Sequence, residues 1–405
     1  MQSVRSSPTD FVFVGIQSWD LPLGGNAKDM ALELAKTSRV LYVNPPPDRI
    51  TRFRQRDAPQ PKGQPHPAGH LFRVNDALWV LYPAVTLESI NWLPDSFLFD
   101  YVNRLNNQRL ASRIQQAIDH LAFGPVTVFN DSDMFRSFYL KELLAPRHYV
   151  YYTRDNLMAV DYWRKHGRRL EVRLMEKADL VVSNSAYLAQ LACQHNKHTE
   201  DIGQGCDLTH FNAATRYPVP NDLKSIASPR IGYVGALNAS RLSIDWLVST
   251  AQARPDWNIL LIGPEDKTFR ESVLHKLSNV HFLGAKSMLA LPAYLQHLDV
   301  AINPQHLNAL TIGNYPRKVD EYLAMGKPVV ARRTETMQLF DDYVTLAETP
   351  GQFVEGIEKA LRRDLPTALD SCVAFARSHT WAKSVTTLIK AINQLNSNQS
   401  ITVPK

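Results

Sequence analysis

The stretch that decides the fold reads Asn314-Tyr-Pro-Arg-Lys-Val-Asp-Glu-Tyr-Leu-Ala-Met-Gly-Lys-Pro-Val-Val330. It predicts a short helix, a sharp stop and a buried strand. Pro316 suits the first helical position, where the missing N–H of proline has no intrahelical partner to lose. Gly326 fits the left-handed position that ends a helix, and Pro328 prevents the helix from continuing. The apolar residues Val329-Val330-Ala331 then predict a strand.

The start of this predicted helix is suited to binding an anion. Free N–H groups and the helix dipole favour anions at a helix N-terminus. Lys318 lies in the first turn and adds a full positive charge, and Glu321 shares its face three residues later. A phosphate beside Lys318 and a hydroxyl-bearing ring beside Glu321 would suit this arrangement. The alternative is an ordinary surface helix with a Lys318–Glu321 ion pair.

The composition bounds the class of protein. The chain has 405 residues, enough for two domains, with 44% hydrophobic and 21% charged residues. No apolar run approaches the roughly 18 residues that span a bilayer, and the first residues lack the apolar core of a signal peptide. Three scattered cysteines predict neither a metal site nor a disulfide framework, which favours a cytoplasmic location. The net charge of +6 permits phosphate ligands or an anionic membrane surface and does not require nucleic acid.

Short apolar runs alternate with helical patterns along both halves of the chain, which is typical of parallel sheets covered by helices. In the first half we predict strands at Phe11–Ile16, Val40–Val43, Leu78–Tyr82, Val126–Phe129, Tyr149–Tyr152 and Leu180–Ser183. Helices are predicted between them at Ala27–Lys36, Phe99–Leu121 and Arg168–Lys177. In the second half the predicted strands are Ile231–Val234, Ile259–Ile262, Val280–Leu283, Val300–Ile302 and Val329–Ala331. The proline-containing segment 212–229 separates two doubly wound α/β domains.

Three polar segments of the first half are candidates for function. Gly24-Gly25 follows the first strand, where glycine lets backbone N–H groups approach a ligand, although a plain tight turn is the alternative. This loop lacks the dinucleotide fingerprint, which disfavours a dehydrogenase. The segment 48–57 predicts a mobile insertion, basic at its start, that is either a solvated loop or a surface that meets anionic lipid or a charged acceptor. The Asp-x-Asp pair in 130–133 could hold a metal, but we favour a turn.

Tyr151-Tyr-Thr-Arg-Asp-Asn156 ends another predicted strand. Doubly wound folds bind ligands at the carboxyl ends of their strands, so these polar residues are expected to face a ligand. Asp155 is a candidate general base, with Arg154 able to hold its charge or to bind an anion. The alternative is a helix cap formed by Asp155 or Asn156.

At this point the second half resembles the donor-binding domain of GT-B glycosyltransferases, especially the bacterial branch related to glycosyltransferase family 4. The segments that carry the resemblance are Tyr233-Val-Gly-Ala-Leu237, Leu260-Leu-Ile-Gly-Pro264, Val280-His-Phe-Leu-Gly284 and Lys318–Val330. The last of these is the most specific. In the first half, Gly24-Gly25 and the segment 178–186 also fit, and the predicted helix from Trp381 resembles the crossover helix of the family.

The resemblance implies a GT-B fold of two doubly wound, Rossmann-like domains that face a cleft. It assigns 1–215 to an acceptor-binding domain, 229–376 to a nucleotide-sugar-binding domain and 377–396 to a crossover helix that packs back on the first domain. On the acceptor side it implies Gly24, Gly25, Asn26, Arg154 and Asp155.

The resemblance also implies roles on the donor side. Glu321 would bind the ribose, Lys318 the diphosphate, and the segments at 263–265 and 284–287 the base. The implied donor-binding residues are Gly235, Arg241, Gly263, Pro264, Glu265, Gly284, Lys286, His306, Asn314, Tyr315, Pro316, Lys318 and Glu321. Lys318 and Asp155 are the implied catalytic residues. Gly313 stands where the family has the first glutamate of its motif, so the sequence leaves inversion or retention of stereochemistry open.

The expected activity is metal-independent transfer of a hexose from a nucleoside diphosphate sugar, with a UDP-sugar favoured, and no added cofactor. The expected acceptor is a hydroxyl of a glycan, glycolipid or lipid-linked molecule in bacterial surface-polysaccharide synthesis. The expected location is the cytoplasm, with contact to the inner face of the membrane, and no nucleic-acid partner. The alternatives are a nucleotide-sugar epimerase of similar fold and a non-catalytic nucleotide-sugar binder.

Overall fold

The structure is a computed structural model that describes residues 9–21, 25–54, 63–365 and 367–401. The described chain folds as two compact units. The first runs as far as Gly203 and resumes at Trp381, and the second is Gln204–Thr380. The predicted boundaries at residues 215 and 377 therefore lie inside the second unit. The reason is that the segment after Gln204 is tied to the end of this unit, with the Cys206 N–H donating to the His379 carbonyl at 3.1 Å.

The first unit contains a sheet of nine strands within the described residues. They are β1 (Asp10–Gly15), β2 (Val40–Val43), β3 (Gln64–His66), β4 (Gly69–Arg73), β5 (Leu78–Pro83), β6 (Val126–Asp131), β7 (His148–Thr153), β8 (Leu180–Ser183) and β9 (Thr199–Asp201). Their order is β3-β4-β5-β2-β1-β6-β7-β8-β9. The pairs β3–β4 and β4–β5 are antiparallel and the other pairs are parallel. The strand order reverses between β1 and β6, which is the switch point where such sheets bind ligands.

Helices cover both faces of this sheet. In the chain up to Gly203 they are α1 (Asn26–Leu34), α2 (Arg49–Arg54), α3 (Phe97–His120), α4 (Leu140–Leu144), α5 (Asp161–Lys177) and α6 (Ala186–Cys193). The residues of β1 alternate between the two sides: Val12 and Val14 belong to the core cluster with α3 and α5, while Phe11 and Phe13 belong to the cluster with α1. Burial of both faces explains why the strand is apolar at every position.

The second unit contains a sheet of six parallel strands. They are β10 (Arg230–Val234), β11 (Asn258–Ile262), β12 (Val280–Phe282), β13 (Val300–Asn303), β14 (Val329–Arg332) and β15 (Thr345–Ala347). Their order is β12-β11-β10-β13-β14-β15, the Rossmann order, with the switch point between β10 and β13. The α-helices of this unit are α7 (Ile244–Ala253), α8 (Lys267–Arg270), α9 (Leu291–Gln296), α10 (Arg317–Ala324), α11 (Pro350–Leu361) and α12 (Leu369–Arg377).

The last helix, α13 (Trp381–Ile401), belongs to the first unit. Its apolar side chains, among them Trp381, Leu388 and Leu395, share a core cluster with Met30 and Leu34 of α1. The helix predicted from Trp381 is therefore present. The predicted fold class, an α/β protein of two doubly wound, Rossmann-like bodies with a C-terminal helix, is confirmed. No helix of the described chain combines the length and the apolar character needed to cross a membrane.

Several local predictions were wrong. The segment 48–54 is not a mobile loop, because it contains α2, whose Arg49 pairs with Glu88 at 2.7 Å. Residues 55–62 of the same predicted insertion lie outside the described residues. Pro316 is not the first helical residue, since α10 begins one residue later, at Arg317. The strands β3, β4, β9 and β15 were not predicted, because each lies at or near a sheet edge and lacks a continuous apolar run.

Candidate functional site

Two glycines bring the loops after β10 and β11 together at the switch point of the second unit. Gly235 has a φ of +143° and its N–H donates to the Ile262 carbonyl at 2.9 Å. Gly263 has a φ of +159°, and a Cβ there would lie 1.9 Å from the Gly235 carbonyl oxygen. Glycine is required at Gly263 because any side chain would collide with the backbone of the first loop. The backbone after β10 is thus held in a fixed, exposed turn.

The loop after β13 joins the same edge. The Ser243 N–H donates to the Pro304 carbonyl at 2.9 Å, and the His306 N–H donates to the Arg241 carbonyl at 2.9 Å. The Asn308 side chain donates to the Ser240 carbonyl at 2.7 Å. Arg241 and His306, which the sequence predicts as donor-binding residues, therefore lie on two loops that are connected through their backbones.

Lys318 lies next to the Gly235 turn. Its Nζ donates to the Tyr233 hydroxyl at 2.8 Å and lies 4.7 Å from the centre of the Tyr233 ring. A Cβ on Gly235 would lie 3.4 Å from the same Nζ. The hydrogen-bond partner of the Lys318 Nζ is thus a phenol hydroxyl rather than a carboxylate, and the Nζ lies beside the turn. The alternative of a Lys318–Glu321 ion pair is not what the structure shows.

Glu321 lies one turn further along α10 and is half-buried. Burial raises the pKa of its carboxyl to about 7, while Arg317 and Lys318 act to lower it and Asp320 to raise it. A carboxyl of this kind is costly to ionise in the folded protein. A ligand whose hydroxyls donate hydrogen bonds to the Glu321 carboxyl would stabilise its ionised form, as a ribose in the predicted position would do.

The remaining side of α10 is fixed by a buried polar cluster. Asp320 is fully buried and accepts hydrogen bonds from the Tyr315 hydroxyl at 2.9 Å and the Cys206 Sγ at 3.2 Å. His379 Nδ1 lies 2.8 Å from the other Asp320 oxygen. The Tyr315 hydroxyl, which the sequence predicts to meet the donor, is thus engaged with Asp320. The cluster instead holds the helix that carries Lys318 and Glu321.

The other predicted donor-binding residues are placed as follows. Glu265 contacts His275 at 2.8 Å, and His275 stacks on Phe282. Gly284 has a φ of +69° and lies two residues after the end of the short strand β12.

The remaining predicted residues differ in charge pairing and burial. Lys286 pairs with Asp222 at 2.7 Å, so its charge is already neutralised. Arg241 is exposed, whereas Asn314 is half-buried and Pro316 is buried. Gly313, at the position of the absent glutamate, is buried.

The switch point of the first unit holds a buried ion pair. Arg154 donates to Asp131 at 2.7 Å and to Asp155 at 3.2 Å. Asp131 is fully buried at the end of β6, where burial raises the pKa of its carboxyl and Arg154 opposes this effect. Asp155 is half-buried. One guanidinium therefore connects the buried carboxylate to the predicted general base.

The two residues of the Asp-x-Asp pair differ: Asp131 is the last residue of β6 and pairs with Arg154, whereas Asp133 begins the turn that follows. Asp133 pairs with Arg136 at 2.7 Å and accepts from the backbone N–H groups that follow it. Among the described residues no group of three or more His, Cys, Asp or Glu side chains could hold a metal ion.

The remaining acceptor-side predictions concern the loop after β1. Gly25 immediately precedes α1, and the Asn26 side chain donates to the Tyr152 hydroxyl at 3.1 Å. Gly24 lies outside the described residues. These residues stay predictions for the acceptor side.

A cavity of about 1410 Å³ opens in the first unit. Its lining includes charged, amide and aromatic side chains, among them Asp20, Arg52, Asn106, Arg136, Tyr162 and Trp163. The sequence reasoning did not find this cavity, and none of its described acceptor-side residues lines it. The lining comes from seven separate segments between residues 16 and 163, so no local motif could have revealed it.

Sequence reasoning also missed Tyr233 and Asp131. Tyr233 ends an apolar strand and looks like an ordinary core residue, although its position two residues before Gly235 places it at the carboxyl edge. Asp131 was interpreted as a turn residue because the Arg154 that neutralises it is distant in sequence.

The two sheets and the segment 233–321 can be compared with known proteins. Residues 228–363 match the family model described as "Glycosyl transferases group 1". The fold is the GT-B fold, and the resemblance inferred from the sequence is confirmed at this level.

Particular relatives support this class. A putative teichuronic acid biosynthesis glycosyltransferase, TuaH of Bacillus subtilis (strain 168), is 28% identical over 222 residues, which is 51% of this chain. That match spans about half (54%) of the length of the relative. Among solved structures, sucrose-phosphate synthase from Thermosynechococcus elongatus aligns with a TM-score of 0.68 at 16% identity, over 96% of this chain and 100% of that chain. Anabaena HepE in complex with UDP aligns with a TM-score of 0.62 at 16% identity, over 96% and 100%.

Proposed function

We propose that this protein is a glycosyltransferase that moves a hexose from a nucleoside diphosphate sugar to a hydroxyl of a glycan, glycolipid or lipid-linked acceptor. The favoured donor is a UDP-sugar and the setting is bacterial surface-polysaccharide synthesis. The structures of HepE with UDP and with UDP-glucose support the donor class, and the name of the TuaH relative supports the setting.

The observation that carries the proposal is the position of Lys318. Its ammonium lies beside the glycine turn at the switch point of a Rossmann-ordered sheet, on the first turn of α10. Its hydrogen-bond partner is the Tyr233 hydroxyl and not a carboxylate. An anion that entered the turn would therefore meet the ammonium of Lys318 at the positive end of the α10 dipole.

The chemistry follows from this charge. Departure of a nucleoside diphosphate builds up negative charge on the leaving phosphate. Lys318 and the start of α10 would stabilise that charge as it develops, which lowers the barrier only if the contact strengthens in the transition state. We propose that these groups serve without a bound metal.

On the acceptor side we propose Asp155 as the base that takes the proton of the acceptor hydroxyl, if the reaction inverts. Its support is its position at the carboxyl end of β7 and its contact with Arg154. Arg154 holds Asp155 in place and is itself fixed by the buried Asp131. We further propose a cytoplasmic location with contact to the inner face of the membrane.

A ligand screen tests the proposal directly. Thermal-shift measurements with UDP, GDP, ADP and their sugars would give a higher Tm for nucleotides that bind the folded state. We expect UDP and a UDP-sugar to raise the Tm, and Lys318→Ala to remove most of the shift. If no nucleoside diphosphate or nucleotide sugar changes the Tm, the proposal fails.

Two other functions are separated by product analysis. An epimerase of similar fold would convert a UDP-sugar to its isomer without any acceptor. A non-catalytic binder would give a thermal shift and no turnover with any acceptor. The non-catalytic binder is retained as an alternative because Gly313 provides no carboxylate at its position.

A further inference from the structure

The first unit exposes a cluster of large aromatic and aliphatic side chains. Trp92 is 70% exposed, Phe97 86% and Tyr101 61%. On the neighbouring helix α2, Phe53 is 69% exposed. Side chains of this size are normally at least half-covered, and a group of them on adjoining elements marks an interaction surface. We call Phe53, Trp92, Phe97, Leu98, Tyr101 and Tyr162 the aromatic surface.

Hydrogen bonds connect the elements that carry this surface. The Ile50 N–H of α2 donates to the Ser89 hydroxyl at 3.1 Å, and the Trp92 indole donates to the Ser89 carbonyl at 2.8 Å. Lys165 of α5 donates to the Trp92 carbonyl at 2.9 Å. Because all of these bonds converge on the segment before α3, the exposed rings lie on adjoining parts of the unit.

The start of α3 is held to the same place. Arg169 of α5 pairs with Asp95 at 2.6 Å and with Asp100 at 2.9 Å. Phe97 and Tyr101 are four residues apart on α3, so they project from one side of the helix. The aromatic surface is thus built on a fixed support, and its exposed rings need no rearrangement to meet a partner.

The charge around this surface favours an anionic partner. The segments 48–53, 88–109 and 161–169 contain eight Arg or Lys and five Asp or Glu residues. Four of the acidic residues are paired with arginine: Glu88 with Arg49, Asp95 and Asp100 with Arg169, and Asp161 with Arg164. Lys165 and Arg52 instead donate to a backbone carbonyl and to the Thr86 hydroxyl. Within the part of the chain that the structure describes, neither cation forms an ion pair with a carboxylate.

The aromatic surface also adjoins the cavity of the first unit. Tyr162 is 52% exposed and lines that cavity, as does Arg52 of α2. The aromatic surface and the cavity therefore share Tyr162.

We propose that the aromatic surface docks the protein on an anionic lipid bilayer, with the rings at the level of the headgroups and Arg52 and Lys165 on lipid phosphates. Tryptophan, tyrosine and phenylalanine suit this depth because one part of each surface ring meets hydrocarbon while the flanking polar groups stay in water. Clustered basic residues add attraction to anionic lipid. This inference rests on the membrane contact proposed above. The surface belongs to the first unit, whereas Lys318 belongs to the second.

Vesicle co-sedimentation of the full chain tests the proposal. The probes are vesicles of phosphatidylcholine with phosphatidylglycerol and vesicles of phosphatidylcholine alone. We expect binding to the anionic vesicles, weaker binding to the neutral ones, and a loss of binding at high salt. The double variant Phe97→Ser/Tyr101→Ser should bind the anionic vesicles at least about tenfold more weakly, because each ring contributes buried apolar area at the bilayer.

A matched control removes exposed apolar side chains elsewhere. Leu289 is 70% exposed and Leu339 52%, both in the second unit, and Leu289→Ser/Leu339→Ser should bind vesicles like the unchanged protein. Equal binding of the two double variants, or no vesicle binding by the unchanged protein, would overturn the proposal. A concentration-dependent dimer that Phe97→Ser/Tyr101→Ser abolishes, without vesicle binding, would assign the surface to a second copy. The thermal shift with UDP, measured on the same samples, shows separately whether the donor site is intact.

Discussion

The raised pKa of Glu321 leads to a prediction about both the free energy of unfolding and the affinity for UDP. In the folded protein, burial raises the pKa of this carboxyl from 4.5 to about 7. Between these values the folded state binds more protons than the unfolded state, so the free energy of unfolding falls as the pH rises through this window. The difference between the folded and unfolded pKa values corresponds to about 3 kcal/mol of unfolding free energy, and this contribution is lost once the pH has risen above 7. Glu321→Gln carries no charge and should escape this loss.

The expected result is that Glu321→Gln unfolds in urea with a free energy about 3 kcal/mol above that of the unchanged protein at pH 8. At pH 4 the two proteins should be nearly equal. The same substitution should weaken UDP binding about tenfold, because a carboxylate accepts from ribose hydroxyls more strongly than an amide does. A gain in stability with a loss of binding is what a functional residue is expected to show.

Glu171 provides the matched control in the first unit. Burial raises the pKa of its carboxyl to about 7 as well, and the Tyr151 hydroxyl donates to it at 2.9 Å. Glu171→Gln should therefore raise the free energy of unfolding at pH 8 in a similar way and leave UDP binding unchanged. If Glu321→Gln keeps the pH dependence of the unchanged protein between pH 4 and 8, the argument from burial is refuted.

Three further substitutions test separate parts of the site. Tyr233→Phe removes the hydrogen bond to Lys318 and should weaken UDP binding, measured by calorimetry, by a factor of about three to ten. An unchanged affinity would refute the idea that Tyr233 positions Lys318. Gly263→Ala should lower the free energy of unfolding by several kcal/mol, because its Cβ would meet the Gly235 carbonyl at 1.9 Å. A normal urea midpoint would contradict that close approach. Asp155→Asn should lower kcat at least about a hundredfold without changing the Kd of UDP, and full activity would remove Asp155 as the base.

Much of the fold was predictable because its pattern is local. The parallel strands are buried on both faces and read as continuous apolar runs, so Val40–Val43 and Leu180–Ser183 were predicted to the residue. The helix stop at Gly326 was also predictable, since a left-handed residue followed by proline leaves few options. The edge strand β15 and the strand β4, which lies next to the edge strand β3, were missed because they are half-covered and their sequences are short and mixed.

The candidate site was predictable only where its residues share one helix. Lys318 and Glu321 were identified from their spacing on α10, but their surroundings were not. The pairing of Lys318 with Tyr233 joins residues far apart in sequence, and so does the link from Asp131 to Arg154. The pairing of Lys286 with Asp222 could not be predicted either, because Asp222 belongs to a distant segment.

The central claim, that Lys318 binds the diphosphate of the donor, is tested most directly by calorimetric titration of UDP into three proteins. These are the unchanged protein, Lys318→Ala, and Lys359→Ala as a control for the loss of one charge, since Lys359 is an exposed residue of α11. We predict that Lys318→Ala raises the Kd about 10- to 100-fold, as expected for one charge-assisted contact to phosphate. Lys359→Ala should bind UDP like the unchanged protein. Equal affinities for all three proteins would contradict the assignment of Lys318.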